Sequence, residues 1–224
     1  MSSLIIALAT GVAIVTLAIL PFLTPQWVAF EQGRANATAW TGYSTEELRV
    51  ATDAILSDLV FGPPDFDVEV GGEPVLVERE RGHMRDVRSV FVGSWLLAGV
   101  SVLVLAVAAI RGDRHVAWQA VQRGALVLAG AVVVLGVVAL VAFDLLFELF
   151  HRILFPPGSF TFDPATERLV QLFPFQFWQE IAILVGIAIV VLSLGIAAIA
   201  GRRASLSTGS ARASGLAATP EPGR

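Results

Sequence analysis

Four long apolar stretches divide the chain, separated by polar segments of unequal length. Each stretch is long enough to cross roughly 30 Å of hydrocarbon as a helix. The pattern therefore predicts four transmembrane helices, at about Leu4–Leu23, Ser89–Ile110, Gly124–Phe143 and Ile181–Ala200. The first is interpreted as a retained anchor rather than a signal peptide, because it lacks a basic start and an Ala-x-Ala-like exit.

The polar segments complete the predicted organisation. Two of them are long enough to carry structure of their own, one is a short loop, and the last is rich in Ser, Ala, Gly, Thr and Pro, which predicts disorder. In chain order we predict helix 1 at 1–23, an outer cap segment at 24–88, helix 2 at 89–110, a cytoplasmic loop at 111–123, helix 3 at 124–143, a second outer segment at 144–180, helix 4 at 181–200 and a disordered cytoplasmic tail at 201–224.

The first outer segment predicts a small α+β cap. Ser44 and Glu47 stand three residues apart, the spacing of a capping box that starts a helix, which we extend to about Val60. The alternation in "FDVEV", the following Gly-Gly and "EPVLVE" predict a β-hairpin, with Val68 and Val70 facing Val75 and Val77. The expected fold class is mainly α, a polytopic membrane protein with a small extracytoplasmic cap.

The second outer segment continues helix 3 and then turns along the membrane. Pro156 stops the helix, and Asp163-Pro164 provides a cap and a first helical residue for another one. The apolar positions of that short helix predict that it lies on the membrane surface. An aromatic belt then leads into helix 4, comprising Phe175, Phe177 and Trp178.

Composition supports a membrane protein and narrows its chemistry. The chain is 55% hydrophobic, with a mean hydropathy of +0.74 and a net charge of −4, so it has no basic bias for nucleic acid. It has no cysteine, which excludes disulfides and thiolate chemistry. Arginines at 111, 114, 123, 202 and 203 place both termini in the cytoplasm, although a second cluster, at 79, 81, 85 and 88, lies on the opposite side.

Two of the three histidines lie at predicted membrane edges. His83 precedes helix 2 and His151 follows helix 3, so antiparallel neighbours would bring both to the outer face. Ionisable groups at this depth are costly and are functional candidates, and imidazole exchanges protons near neutral pH. Asp144 and Glu148 share a helical face with His151 and are candidates to orient it. His115 is interpreted as a polar residue of the cytoplasmic loop.

Several alternatives stay open at this point. Glu80 to His83 and Glu148 to His151 are both Glu-x-x-His motifs, as in di-iron bundles, but the further helical glutamates are missing. Another alternative is a membrane acyltransferase or a lipid hydrolase that uses the same histidine pair with water or with a serine such as Ser94 or Ser159, although no serine motif supports it. A non-enzymatic scaffold that binds a partner through its cap is the third alternative. We expect no metal and no cofactor.

Two segments resemble the bacterial lipoprotein intramolecular transacylase (Lit) family. They are "GHMRDVRSVF" before helix 2 and "FHRILFPPGSFTFDPATERLVQLFPFQFW" after helix 3. The family pattern is His-Met-x-Asp-Val, then Phe-His-x-x-x-Phe, a proline-bounded surface helix and an aromatic entry to the fourth span. Size, span number and loop lengths agree over about residues 1–200.

The resemblance implies transfer of the sn-2 acyl chain of an S-diacylglyceryl lipoprotein to the α-amine of its N-terminal cysteine. It implies that His83 and His151 are the catalytic pair. Arg85 and Asp86 are expected as supporting residues, and Arg88 and Trp178 as substrate-binding residues, with Arg85 or Arg88 binding substrate carbonyls or pairing with Asp86. The expected setting is a monomer in the bacterial plasma membrane, with its site on the outer face and with lipoproteins and membrane lipid as partners.

Overall fold

The chain is a multi-pass helical membrane protein in the computed structural model, which describes residues 2–217. Four helices among these residues are long and apolar enough to cross a membrane: Ser3–Leu23, Glu78–Arg111, Arg114–Leu154 and a fourth that starts at Phe175. Their most apolar windows have mean hydropathies between 2.4 and 3.0. The fold class predicted from the sequence is confirmed.

The elements follow one another with short connections. The helices are α1 Ser3–Ile19, extended by a 3-10 turn at Leu20–Leu23, α2 Pro25–Arg34, α3 Ala37–Thr41, α4 Thr45–Val60, α5 Glu78–Arg111, α6 Arg114–Leu154, α7 Arg168–Leu172 and α8 Phe175–Ala217, and the strands are β1 Glu69–Val70 and β2 Glu73–Pro74. The long helices extend well past the predicted spans. α5 begins before Ser89, and α8 is helical through the start of the predicted disordered tail; residues 218–224 lie outside the described residues.

The chain divides into two compact units. One contains Leu97–Val134, the start of the chain as far as Leu17, and the chain from Ala188 onward. Small residues allow close helix packing there: a Cβ on Gly124 would lie 2.5 Å from the carbonyl oxygen of Ala7. In the same unit, Nδ1 of His115 lies 3.0 Å from the carbonyl oxygen of Ala204, so this histidine contacts a second helix.

The other unit, Ala18–Leu96 with Leu135–Ile187, contains the cap. The capping box is present at the start of α4: Ser44 Oγ accepts from the Glu47 amide, and the Glu47 carboxylate accepts from the Ser44 amide at 2.8 Å. The apolar face of α4 is buried and includes Leu48, Ala51, Ile55 and Leu59. Its core also includes Phe66, Met84, Leu169 and Leu172.

The hairpin is shorter than predicted. Val70 pairs with Glu73 around Gly71 and Gly72, which both have positive φ angles as a tight turn requires. The Val75 amide donates to the Val68 carbonyl at 2.8 Å, and both of these side chains are buried. Val77 is 57% exposed and does not join the pairing, because α5 begins at the next residue.

Candidate active site

His83 lies in the second turn of α5, on the face that packs into the cap core. The same face carries Glu80 and Met84, both buried, and His83 itself is 7% exposed. Its ring contacts Phe155 and Phe162 edge-on, at centroid distances of 4.8 and 5.5 Å. Within the described residues its Nδ1 is buried without a hydrogen-bond partner, which leaves Nε2 as the ring atom available to another molecule.

His151 lies near the end of α6, beyond a break in the helix. Ala142 has non-helical angles (φ −143°, ψ 37°), so the last turns of α6 take their own direction. Nδ1 of His151 lies 2.7 Å from the carbonyl oxygen of Phe147, four residues earlier. A carbonyl only accepts, so Nδ1 carries the proton and Nε2 keeps a lone pair. His151 is therefore held as a base by its own helix.

The two imidazoles face each other inside an enclosure of phenylalanine rings. Their centroids are 6.0 Å apart, and their planes differ by 25°. Phe155 contacts both rings, and Phe147, Phe150 and Phe160 lie 4.3 to 5.3 Å from the ring of His151. The geometry provides two proton-exchanging groups at one place, with apolar walls that suit acyl chains.

The carboxylates expected to orient His151 do something else. Asp144 is exposed, and Glu148 accepts from Arg152 at 2.5 Å on the surface of the helix. From the sequence we expect Asp144 or Glu148 to hold the imidazole of His151. In the structure the carbonyl oxygen of Phe147 binds Nδ1 of that ring instead. Helical spacing places all three on one face, but a backbone oxygen one turn back is nearer to Nδ1 than any side chain.

The arginines before the second span bind mainly within the cap. Arg79 donates to the Thr161 carbonyl at 2.7 Å, forms an ion pair with Glu167 and lies 4.7 Å from the Phe162 ring. Arg81 binds Asp67 at 3.0 Å. Their partners come from segments far along the chain, which spacing along a helix does not reveal.

The remaining two arginines differ from each other. Arg85 donates to Glu78 at 2.6 Å rather than to the neighbouring Asp86, which is partly buried. Among the described residues, Nη1 of Arg88 is buried and has no hydrogen-bond partner. Arg88 therefore keeps an unused donor, whereas Arg85 is engaged by the protein itself.

A groove of about 450 Å³ opens beside the histidine pair. It shares two walls with the enclosure, Phe155 and Phe160. A turn closes its far side, where Gly158 has a φ of +83° and Ser159 returns to the carbonyl of Pro156. The motif Phe-His-x-x-x-Phe contains Phe155 without assigning it a role, and sequence reasoning did not find Phe160, although the alternation with prolines and glycine in "FPPGSFTF" is a signal of a shaped loop. The other groove residues are Glu148, Arg152, Pro157 and Thr161.

Trp178 supports the entry to α8. Its indole N–H donates to the carbonyl oxygen of Phe173 at 3.1 Å, and its ring lies 6.2 Å from that of Phe147. The side chain is 41% exposed, so one edge of the ring stays available. It thus contacts the helix that carries His151 through a phenylalanine.

The geometry does not favour the serine and metal alternatives. Ser94 Oγ donates to the Val90 carbonyl and Ser159 Oγ to that of Pro156, so neither hydroxyl is bound to a histidine. Across residues 2–217 no three His, Cys, Asp or Glu side chains cluster as metal ligands would. Glu80 and Glu148, the glutamates of the two Glu-x-x-His motifs, are instead occupied by backbone amides and by Arg152.

Comparison with known proteins identifies the family. The sequence model of lipoprotein intramolecular transacylase Lit matches residues 2–178. The chain belongs to the Lit family. Membership implies an acyltransferase that acts on lipoproteins in the membrane, and it agrees with the resemblance seen in the two histidine segments.

The relatives are distant in sequence but close in fold. The Lit of Bacillus cereus, solved in meso, superposes with a TM-score of 0.70 at 16% identity and covers 94% of this chain and 95% of its own. A histidine-to-arginine variant of that protein gives 0.71 at 17%, with coverages of 95% and 92%. A protein of Aquifex aeolicus described only as uncharacterized is 28% identical, in an alignment that covers 76% of this chain and 82% of the relative.

Proposed function

We propose that this Lit-family member moves the sn-2 acyl chain of an S-diacylglyceryl lipoprotein to the α-amine of its N-terminal cysteine. His83 and His151 are the catalytic pair. The observation that carries the proposal is the pairing itself: two imidazoles, 6.0 Å apart at their centroids, face each other within apolar rings. The substrate brings both the nucleophile and the ester, so the protein needs no nucleophile of its own.

Proton transfer follows from the tautomers. The α-amine has a pKa of roughly 8 in model compounds, so a modest base suffices to keep it neutral. Nε2 of His151 has the free lone pair, because Nδ1 donates to the Phe147 carbonyl. His151 takes the proton that the nitrogen loses as the N–C bond forms.

His83 acts on the other side of the reacting carbon. Its Nε2 N–H donates a hydrogen bond to the oxyanion of the tetrahedral intermediate, and His151 then gives the proton that it took from the amine to the departing glyceryl oxygen, so that both imidazoles are restored. The C–O ester bond breaks, and the amine proton ends on the glycerol as a hydroxyl. Nothing is added or lost, so the lipopeptide keeps its total mass. Holding amine and ester together supplies much of the acceleration, since proximity is worth roughly 7–11 kcal/mol.

Substrate binding uses the groove, Arg88 and Trp178. The acyl chains lie against the phenylalanine walls, each buried CH2 contributing about 0.8 kcal/mol. The partly exposed side chain of Arg88 binds a carbonyl of the lipoprotein backbone through its guanidinium, and the exposed edge of Trp178 contacts lipid or acyl chain. We assign the site to the outer face of the plasma membrane of a monomer, with both termini cytoplasmic; the arginines at 111, 114, 123, 202 and 203 support this orientation.

Tandem mass spectrometry of an N-terminal lipopeptide tests the proposal. The chain is expressed in a host that makes diacylated lipoproteins, beside His83→Ala and His151→Ala, with His115→Ala as the matched control. We expect one acyl group on the amine at unchanged total mass, lost in the first two variants and kept in the third.

Two outcomes would contradict the proposal. A lipopeptide that keeps both ester-linked chains and a free amine, with the protein folded in the membrane, would refute acyl transfer. A lipopeptide lighter by one acyl group, together with free fatty acid, would indicate a hydrolase.

A further inference from the structure

Glu80 is a charged residue at a position of the cap core. It is fully buried and lies one turn before His83, on the face of α5 that also carries Met84. An apolar side chain would be the ordinary choice there, because burying a carboxylate is costly unless its oxygens are satisfied. Its neighbour Arg79 does not neutralise it directly and pairs with Glu167 instead.

Both carboxylate oxygens accept backbone N–H groups at helix starts. Oε2 accepts from the amide of Val77, the residue before α5, at 2.8 Å. Oε1 accepts from the amide of Leu169, in the first turn of α7, at 2.6 Å. The first amides of a helix have no partner within it, and their dipoles favour an anion. One carboxylate therefore caps two helices from different parts of the chain.

The second helix is continuous with the wall of the histidine enclosure. Leu169 and Leu172 of α7 pack in the same core as Met84. The loop that leads into α7 supplies Phe155 and Phe162, which contact the ring of His83. Glu80 thus connects the turn that carries His83 to the segment that encloses it.

We propose that Glu80 is a positioning residue for acyl transfer, acting through His83. The proposal rests on the proposed function. The carboxylate fixes the first turns of α5 against α7 and thereby sets the distance and angle of the His83 ring relative to His151. Glu80 touches no substrate, so its loss should lower the catalytic rate and leave the binding of substrate unchanged.

The test replaces Glu80 by glutamine. It measures the rate at which the full chain, in nanodiscs, transfers the acyl group within a synthetic diacylated lipopeptide. The amide of Glu80→Gln turns an N–H donor toward one of the two backbone amides, which breaks one cap with almost no change in volume. We expect kcat per folded molecule to fall about 10- to 100-fold, since misplacement by 1 Å costs about that much, with KM within about twofold.

The matched control is Glu47→Gln. Glu47 makes the same bond to the start of its own helix, α4, but within the described residues its carboxylate binds only the amide and the hydroxyl of Ser44. We expect kcat unchanged in this variant, although the capping bond is equally weakened. A loss of kcat in both variants would assign the effect to cap stability and overturn the positioning role.

A spectroscopic measurement separates positioning from the proposed reaction. The chain has three histidines, so the ring signals of labelled protein can be assigned with His115→Gln and His151→Gln. We expect Glu80→Gln to shift the His83 ring resonances and Glu47→Gln to leave them in place. The ring signals can be measured without acyl transfer. An inactive wild-type chain would therefore refute the proposed function, whereas the effect of Glu80 on the position of the His83 ring could still be tested.

Glu80→Asp is the second variant, in case the amide does not fold. It keeps the charge but is one methylene shorter, so it cannot span both helix starts; we expect the same split between kcat and KM. Full kcat per folded molecule with an unmoved His83 signal overturns the proposal. Failure of both variants to fold also overturns it, because Glu80 would then serve the architecture alone.

Discussion

The start of α5 and the end of α6 each hold a histidine, and they do so by different means. At the start of α5, polar bonds from distant segments surround His83: Glu80 reaches α7, and Arg79 reaches Thr161 and Glu167. At the end of α6, His151 is held by a carbonyl of its own helix and by phenylalanine rings. Near it on the surface, Arg152 and Glu148 form an ion pair with each other.

The comparison shows that the number of ionisable residues at a helix end does not indicate whether their bonds hold separate parts of the protein together. Ionisable residues crowd both helix ends, yet those at the start of α5 join separate parts of the cap, whereas those at the end of α6 face solvent. Substitutions of polar residues should therefore destabilise the protein at the start of α5 and have little effect at the end of α6. Replacing either histidine should be equally severe, because the reaction needs both.

The histidines themselves give the largest expected effect. His83→Gln and His151→Gln should each lower the rate of acyl transfer by about 10²- to 10⁴-fold, the usual contribution of a general acid or base. His115→Gln, at the contact with Ala204, should keep the rate. Single-turnover kinetics with a diacylated lipopeptide measure this. A severe loss for one histidine and a normal rate for the other would contradict a shared role.

Arg79 and Arg152 compare the two ends directly. Arg79→Met removes a bond to a carbonyl, an ion pair and a ring contact, and should destabilise the protein by about 1 kcal/mol, or about 2–4 °C in Tm. Arg152→Met removes one exposed pair within a helix and should cost less than about 0.5 kcal/mol. Thermal unfolding in detergent measures both. Equal losses would remove the distinction between the two helix ends.

Glu31 is a second buried carboxylate, and its comparison with Glu80 explains why burial is tolerated at Glu80. It is 1% exposed, both of its oxygens lack hydrogen-bond partners within the described residues, and the Arg34 Nε is 3.8 Å away. Burial, followed by the nearby Glu180, raises the pKa of Glu31 above its ordinary value of 4.5. The folded protein therefore holds this proton more tightly than the unfolded chain, and stability falls as pH rises from 4.5 to the folded pKa.

Glu31→Gln should remove the loss of stability that ionisation of Glu31 causes as pH rises. Tm should exceed the wild-type value by about 2–4 °C at pH 8 and approach it near pH 4. Glu46→Gln, on an exposed carboxylate that pairs with Arg49, is the control and should change Tm by less than about 1 °C at pH 8. Tryptophan fluorescence during heating at the two pH values measures this. A Tm for Glu31→Gln below the wild type at pH 8 would show that the charge is satisfied.

The smallest effect is expected at the second helix end. Asp144→Asn and Glu148→Gln should leave acyl transfer within about threefold, because the Phe147 carbonyl and not a carboxylate holds His151. The rate and its pH profile, measured side by side with the wild type, check this. A shifted pH profile in either variant would restore the carboxylate as a partner of the imidazole.

Sequence reasoning found what local pattern encodes. Apolar length predicted the spans, and the Ser44 and Glu47 spacing predicted the start of α4. The helix expected to start at Asp163-Pro164 begins instead at Arg168, after a turn, and its Leu169 and Leu172 pack in the cap core. Sequence reasoning missed α2, α3 and the break at Ala142. It also gave no role to the phenylalanines around His83, because these come from a segment far along the chain. The partners of Glu80 and His151 escaped for a further reason: they are backbone atoms, and backbone atoms leave no trace in composition.

The double cap at Glu80 also bears on how members of such a family can be recombined. Two helix starts that share one carboxylate depend on each other, although Leu169 lies 89 positions after Glu80. Because the donor at α7 is a backbone amide, a chimera that takes the segment around α7 from a relative should keep this cap whatever side chain stands at position 169. Such an exchange should fail only where the new segment moves the α7 backbone out of reach of the Glu80 carboxylate.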